Sequence, residues 1–412
     1  MKEWKTYKLS EIADIQTGPF GSQLHNNDYV DNGTPIVTVE HLGNRKFSTQ
    51  NLPCVSDADK ARLSKYILNE GDIVFSRVGS VDRCSYVSSD EDGWMFSGRC
   101  LRVRCNNMCN PLFLYYYFCK ETIKQYIRSI AVGATMPSIN TKLLSDLPIT
   151  LPSIDVQDKA VQILSRLDDK IELNRQINDN LEQQAQALYK SWFVDFEPFC
   201  EEEFIETSLG SIPAGWKVGQ LSDICEIVGG GTPSKSHPDY YCSRGIAWIT
   251  PKDLSVSKSK FSSRGSEDIT SDGYKNSSAK LMPRGTVLFS SRAPIGYISI
   301  ATNEICTNQG FKSAVPGIAG TGYLYYFLQA NTDKIESKAS GSTFKEASGS
   351  LMKALEVIIP ADGILNQFEA ELAPILTKQE NIASEIQTLT TLRDTLLPKL
   401  MSGELKINEL DC

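Results

Sequence analysis

Two hydrophobic rhythms alternate along the chain. In residues 1–153 and again in 209–360, short apolar runs (PIVTV, DIVFS and CLRVRC; IAWIT, TVLFS and GYISI) are separated by turns rich in Gly, Pro, Asn and Ser. Such runs predict β-strands, and one aromatic stretch per segment predicts a helix, which in the first covers residues 112–127. After Pro152 and again after Pro360 glycine becomes scarce and apolar residues recur at alternating steps of four and three. Ala160, Leu164, Leu167, Ile171, Asn174, Asn178, Leu181, Ala185, Leu188 and Trp192 form the first stripe. Phe368, Leu372, Ile375, Gln379, Ile382, Ile386, Leu389, Arg393, Leu396 and Leu400 form the second, each 208 positions after its counterpart. One shared heptad register predicts two long helices with coiled-coil seams. Over about 33 residues each would be roughly 50 Å long, longer than a small domain, so the two are expected to pack mainly on each other. The polar seam residues Asn174, Asn178, Gln379 and Arg393 either fix the register or face a partner protein. Pro374 and Pro398 are expected to kink or restart the second helix.

The globular segments also echo one another. LSEIADIQTG (9–18) returns as LSDICEIVGG (221–230), TPIVTVEHL as IAWITPKDL, NEGDIVFSR as PRGTVLFSS, FLYYYF as YLYYFL, and VGATMPS as SGSTFKE. The matches are colinear and their offset drifts by only a few residues, as loop insertions produce. The chain is therefore a tandem duplication. Its expected domains are 1–153, a helix with linker over 154–208, 209–360, and a closing helix over 361–412. The fold class is α+β, with each globule followed by a long helix and the two helices paired as an antiparallel coiled coil.

Charge changes this picture more than composition does. The net charge of −8 argues against a nucleic-acid binder only when taken whole. Residues 1–153 carry 17 Lys and Arg against 16 Asp and Glu, and 209–360 carry 16 against 12. The acid lies in 154–208, with 5 basic against 13 acidic residues, and in 361–412, with 4 against 9. The globules are thus neutral to basic, which permits phosphate contact. No apolar run approaches a bilayer span and the amino terminus has no signal-peptide core, so a cytoplasmic location is expected. The 11 cysteines form no paired framework, and Cys100, Cys105 and Cys109 lack the spacing of a zinc site. No metal is expected.

Catalytic motifs are missing. GGGTPSKS (229–236) has Ser234 where a phosphate-binding loop needs Gly before its Lys, so a tight turn is expected. NPLF (110–113) resembles the adenine-pocket motif of methyltransferases but has Leu112 in place of the second Pro, and reads instead as a helix cap. No catalytic residue and no bound cofactor is expected. Polar residues at turn-rich positions remain as candidates for DNA contact: Arg77, Ser80, Arg83, Thr135, Ser138 and Asn140 in the first globule, and Lys235, Ser291, Arg292, Asn308, Gln309, Lys312, Thr343 and Lys345 in the second. Such side chains reach base edges and hold phosphates.

The stretches LSDICEIVGGGTPS, SSRAPIG (290–296), TNQGFK (307–312), GATMPSINTKLLSDLPITLPSIDVQDKAV (133–161), LYKSWFVDFEPF (188–199) and LLPKLMSGELKI (396–407) together resemble the specificity subunit of type I restriction-modification enzymes. The resemblance covers nearly the whole chain. It implies two target-recognition domains that each read one half of a split double-stranded DNA site, separated by two antiparallel spacer helices. It also implies two methyltransferase subunits carrying S-adenosylmethionine, docked on those helices, and motor-nuclease restriction subunits that join them. The first globule departs from the pattern: SGRC (97–100) stands in place of TNQG, and SRVGS in place of SRAPIG. The rival readings are a stand-alone DNA adenine methyltransferase and a coiled-coil scaffold that binds no DNA.

Overall fold

The computed structural model describes residues 4–19, 21–341 and 345–405. One structural unit runs up to Ile171 and resumes at Thr388, and the other spans Glu172–Gln387. In the first, the apolar runs form an antiparallel sheet ordered Ala13–Thr17, Cys100–Cys105, Ile73–Ser76 and Cys84–Tyr86. Every residue of Ile73–Ser76 is buried, which is why that run shows no alternation. A smaller sheet is ordered Tyr29–Val30, Cys54–Val55, Thr34–Val37 and Met95–Phe96, its last pair parallel. A ribbon pairs Lys5–Lys8 with Pro148–Leu151.

Asn110 caps the aromatic helix Pro111–Cys119, its side-chain oxygen accepting from the N–H groups of Leu112 and Phe113 at 2.9 and 3.1 Å. The single helix expected through residue 127 breaks at Lys120, and a second helix follows at Glu121–Ile130. Phe113 to Phe118 are all buried, whereas the following helix buries only Ile127. A straight continuation could not keep one segment inside the core and the next at the surface.

The second unit repeats this plan. Its larger sheet is ordered Cys225–Gly229, Lys312–Pro316, Val287–Ser291, Ile295–Ala301 and Phe261–Ser262. The smaller sheet runs Tyr241–Cys242, Asp268–Ile269, Ile246–Ile249 and Cys306–Thr307, again parallel only in its last pair. The ribbon recurs as Lys217–Gln220 with Glu356–Ile359. A hairpin of Phe204–Thr207 and Gly210–Pro213 precedes it.

The long helices are Ile154–Phe193 and Ile364–Ser402, about 60 Å each at roughly 1.5 Å per residue. The second helix is not restarted at Pro374 or Pro398: it runs through both. Both prolines lie on the exposed side, where water can serve the carbonyl left without a donor. Within the first unit Leu164 packs in one core with Leu397 and Leu400, and Asp168 meets Arg393. Within the second, Glu182 meets Gln379, and the Phe193 and Phe368 rings lie 4.8 Å apart. In each unit the partner number falls as the first rises, so the pairing is antiparallel. Leu164, Ile171, Asn174, Leu372, Gln379 and Ile382 are buried; Leu167, Asn178, Leu181, Leu188, Ile375, Ile386, Leu389 and Leu396 are half-buried.

The helices do not pack only on each other. Tyr189, Trp192, Phe193 and Phe368 share a core with Trp216 and Tyr323, and Ala160 and Leu164 share one with Phe113 and Ile149. Aromatic residues outside the two-per-heptad seam, such as Tyr189 and Phe193, widen the apolar face beyond what a coiled coil alone uses. Among the described residues no helix is long and apolar enough to cross a membrane.

Candidate nucleic-acid interface

In the second unit four loops are tied side by side at the end of the strand Val287–Ser291. The Ser291 N–H donates to the Gly310 carbonyl at 2.7 Å, and the Ser291 carbonyl accepts from Ala347 at 2.9 Å. These bonds join the turn 292–296, the loop 307–312 and the segment 345–347. The loop 230–235 joins them through Gly231, which donates to the Thr307 carbonyl at 2.9 Å. A Cβ on Gly230 would stand 2.0 Å from the Asn308 carbonyl oxygen, and one on Gly231 would stand 2.4 Å from the Ala279 nitrogen. Only glycine allows that approach. The glycine run therefore serves loop packing, and no helix opens directly after it.

The candidates of this unit divide by what already holds them. Lys235, Gln309 and Lys345 are exposed, and Gln309 accepts a hydrogen bond from the Thr232 hydroxyl. Ser291 is buried, and its hydroxyl donates to the Gly310 carbonyl at 3.1 Å. The Asn308 side chain accepts from the Gly310 N–H at 2.9 Å and shapes its own loop. Thr343 lies outside the described residues. Arg292 and Lys312 both face Glu346, at 3.6 and 3.3 Å. Glu346 is not among the candidates, because an acid repels phosphate unless cations surround it, and the sequence does not show which cations do. It closes the repeated segment SGSTFKE, and an acid beside a candidate cationic face was the available signal.

The first unit repeats most of this framework, although Pro19 stands where Gly231 donates and has no N–H to give. Arg77 donates through its backbone to the Arg99 carbonyl at 2.8 Å, and Ile139 donates to the Arg77 carbonyl at 2.9 Å. The bridges Val78 to Ser138 and Val132 to Ser138 match Arg292 to Glu346 and Ser340 to Glu346. The side chains differ. Arg77 Nη1 donates to the Gly98 carbonyl at 3.2 Å, and Arg83 donates to the Leu42 carbonyl. Ser138 donates to the Val132 carbonyl at 3.2 Å, and Asn140 caps the helix Thr141–Ser145 by accepting from Leu143 at 2.9 Å. Ser80 and Thr135 are exposed. So is Arg99, a further cation in the divergent SGRC stretch.

A polar cluster ties each globule to the long helices. In the first unit the Tyr116 hydroxyl donates to Asp168 at 2.7 Å, and Arg45 pairs with Asp169 at 2.8 Å. In the second, Lys260 Nζ contacts Glu182 at 2.6 Å, the Tyr326 hydroxyl at 2.5 Å and Gln379 Oε1 at 2.8 Å. Burial pushes the Tyr116 and Tyr326 hydroxyls well above the ordinary range, so both stay protonated donors. Among the described residues no group of three metal-ligating side chains comes together, and the described cysteines are free thiols. Burial raises the Cys100 thiol to about 12, which makes it inert packing.

The family model for the type I restriction modification DNA specificity domain matches residues 1–183 and 213–398. The type I restriction enzyme HindI specificity subunit of Haemophilus influenzae is 27% identical over 470 aligned residues, covering 98% of this chain and 100% of that protein. The type I restriction enzyme MjaIX specificity subunit of Methanocaldococcus jannaschii is 42% identical over 165 residues, 39% of this chain and 38% of that one. The crystal structure of a type I restriction-modification S subunit from M. genitalium shares the fold, with a TM-score of 0.65 at 14% identity, covering 97% of this chain and 96% of that one.

Proposed function

Because the chain belongs to the family of type I restriction-modification DNA specificity proteins, we propose that each of its two units reads one half of a split duplex site. In this reading the four-loop face of each unit meets the DNA. The long helices dock two methyltransferase subunits, which bring S-adenosylmethionine and modify adenine, and restriction subunits join that assembly in the cytoplasm. The chain itself is the DNA-recognition component and carries out no chemistry.

One observation supports this most: the backbone bonds at Arg77 and Ser291 and the bridges at Ser138 and Glu346 recur, while the side chains mounted on them differ. A common scaffold with divergent polar residues suits two different half-sites, since base edges are distinguished by donor and acceptor placement. The domain boundaries at residues 153, 208 and 360 belong to the same reading. They set each globule apart from the helix that follows it.

The test is to express the chain with methyltransferase subunits in a host that lacks adenine methylation and to sequence the modified bases. A two-part motif with a fixed unread gap is expected. A contiguous motif would contradict one reader per half. Methylation by the purified chain alone would identify it as a methyltransferase.

A further inference from the structure

The two loop faces are alike in backbone and unlike in charge. In the second unit Glu346 Oε2 lies 3.6 Å from Arg292 Nη1, while its Oε1 lies 3.3 Å from Lys312 Nζ. One carboxylate thus serves two cations and leaves the trio one net positive charge. The backbone fixes all three. Arg292 and Glu346 are bridged to each other, and Lys312 is paired with Gly229 at the edge of the sheet. At the equivalent positions of the first unit stand Val78, Ser138 and Leu101, the last paired with Thr17 as Lys312 is with Gly229.

The members of the trio are not equally placed to meet a ligand. The Lys312 side chain is only 17% exposed, so it neutralises the acid from inside. The Arg292 side chain is 36% exposed and sits where the strand ends and the turn begins. The Nη1 end of the guanidinium is turned toward the Glu346 carboxylate, so bidentate reading of guanine would need the remaining Nε and Nη2 groups aimed in the plane of the base edge. A phosphate asks less, because any remaining N–H and the positive charge suffice.

We infer that Arg292 contacts a DNA phosphate at the half-site of the second unit, and that Glu346 is the positioning residue that holds it there. The first unit has no counterpart of this grip. The inference rests on the DNA reading above and adds which residue carries a sequence-blind contact.

The test measures binding of the chain, assembled with methyltransferase subunits, to duplex DNA carrying its own motif, over a series of salt concentrations. Arg292→Ala should bind roughly tenfold more weakly and lower the slope of log affinity against log salt by about 1, with the methylated motif unchanged. Arg292→Lys, which keeps the charge and controls for folding, should keep the slope. Glu346→Gln should weaken binding even though it adds one net positive charge to the trio, Glu346→Asp should restore most of it, and Glu346→Gln should add nothing to Arg292→Ala; tighter binding by Glu346→Gln would overturn the positioning role. An unchanged slope in Arg292→Ala, or degeneracy at one base of its motif, would overturn the phosphate assignment. Additive losses would overturn the positioning role of Glu346. If the wild-type complex bound duplex DNA without salt dependence, the DNA reading itself would fall, and this inference with it.

Discussion

Arg393 Nη1 on the second long helix lies 2.9 Å from Asp168 Oδ1 on the first, and the other oxygen of that carboxylate accepts the Tyr116 hydroxyl at 2.7 Å. One acid therefore ties both helices of the first unit to its globule. The Asp168 and Arg393 side chains are only 11% and 25% exposed, so the pair is shielded from water. Arg393→Ala is expected to cost about 1.5–3 kcal/mol, as for a hydrogen bond between charged groups. Urea unfolding of Arg393→Ala, Asp168→Asn and the double variant checks this. The cycle should show a coupling above about 0.5 kcal/mol, and simple additivity would contradict it.

The second unit has its own clamp at Glu182, and there pH should matter. Burial alone would raise the Glu182 carboxyl, but the Lys260 ammonium and hydrogen bonds from Lys260, Gln379 and Gln186 outweigh it and hold the group below its ordinary value of 4.5. A folded value below the unfolded one gives stability that is complete above about pH 4.5 and is lost as pH falls through the folded value. The Glu182→Gln variant should be less stable than wild type at pH 7, with the gap closing as pH falls below that window. A gap that stays constant down to pH 3 would show that the carboxylate is not what Lys260 holds.

Asn174 is 1% exposed and its Nδ2 has no partner among the described residues. A buried donor left unpaired costs about 1–3 kcal/mol. Asn174→Leu should therefore raise the unfolding midpoint. A polar seam residue also rejects other registers at the expense of stability, so the same variant should self-associate more readily. A lower midpoint would mean that Asn174 is satisfied in solution.

Much of this was legible in the sequence because it rests on local pattern. The duplication, the strands around Phe75 and Phe289, the Asn110 cap and the heptad stripe all follow from spacing and residue type. What escaped depends on three-dimensional neighbours. The break at Lys120 comes from a change in burial between two helical segments that no local signal marks. The second helix continues through Pro374, which falls on the exposed side. Ser291 and Asn308 look in the sequence like free polar residues at turns, yet in the fold their side chains bond to neighbouring loop backbone. Glu346 became visible only when the loops placed it between Arg292 and Lys312.

The most direct measurement is a domain exchange. Residues 16–150 are replaced by the matching segment of another protein of this family, the chain is assembled with methyltransferase subunits, and modified adenines are sequenced. If each unit reads one half-site on its own, one half of the methylated motif changes to that of the donor and the other half stays as it was. A change in both halves, or in neither, would contradict two independent readers on a duplicated scaffold.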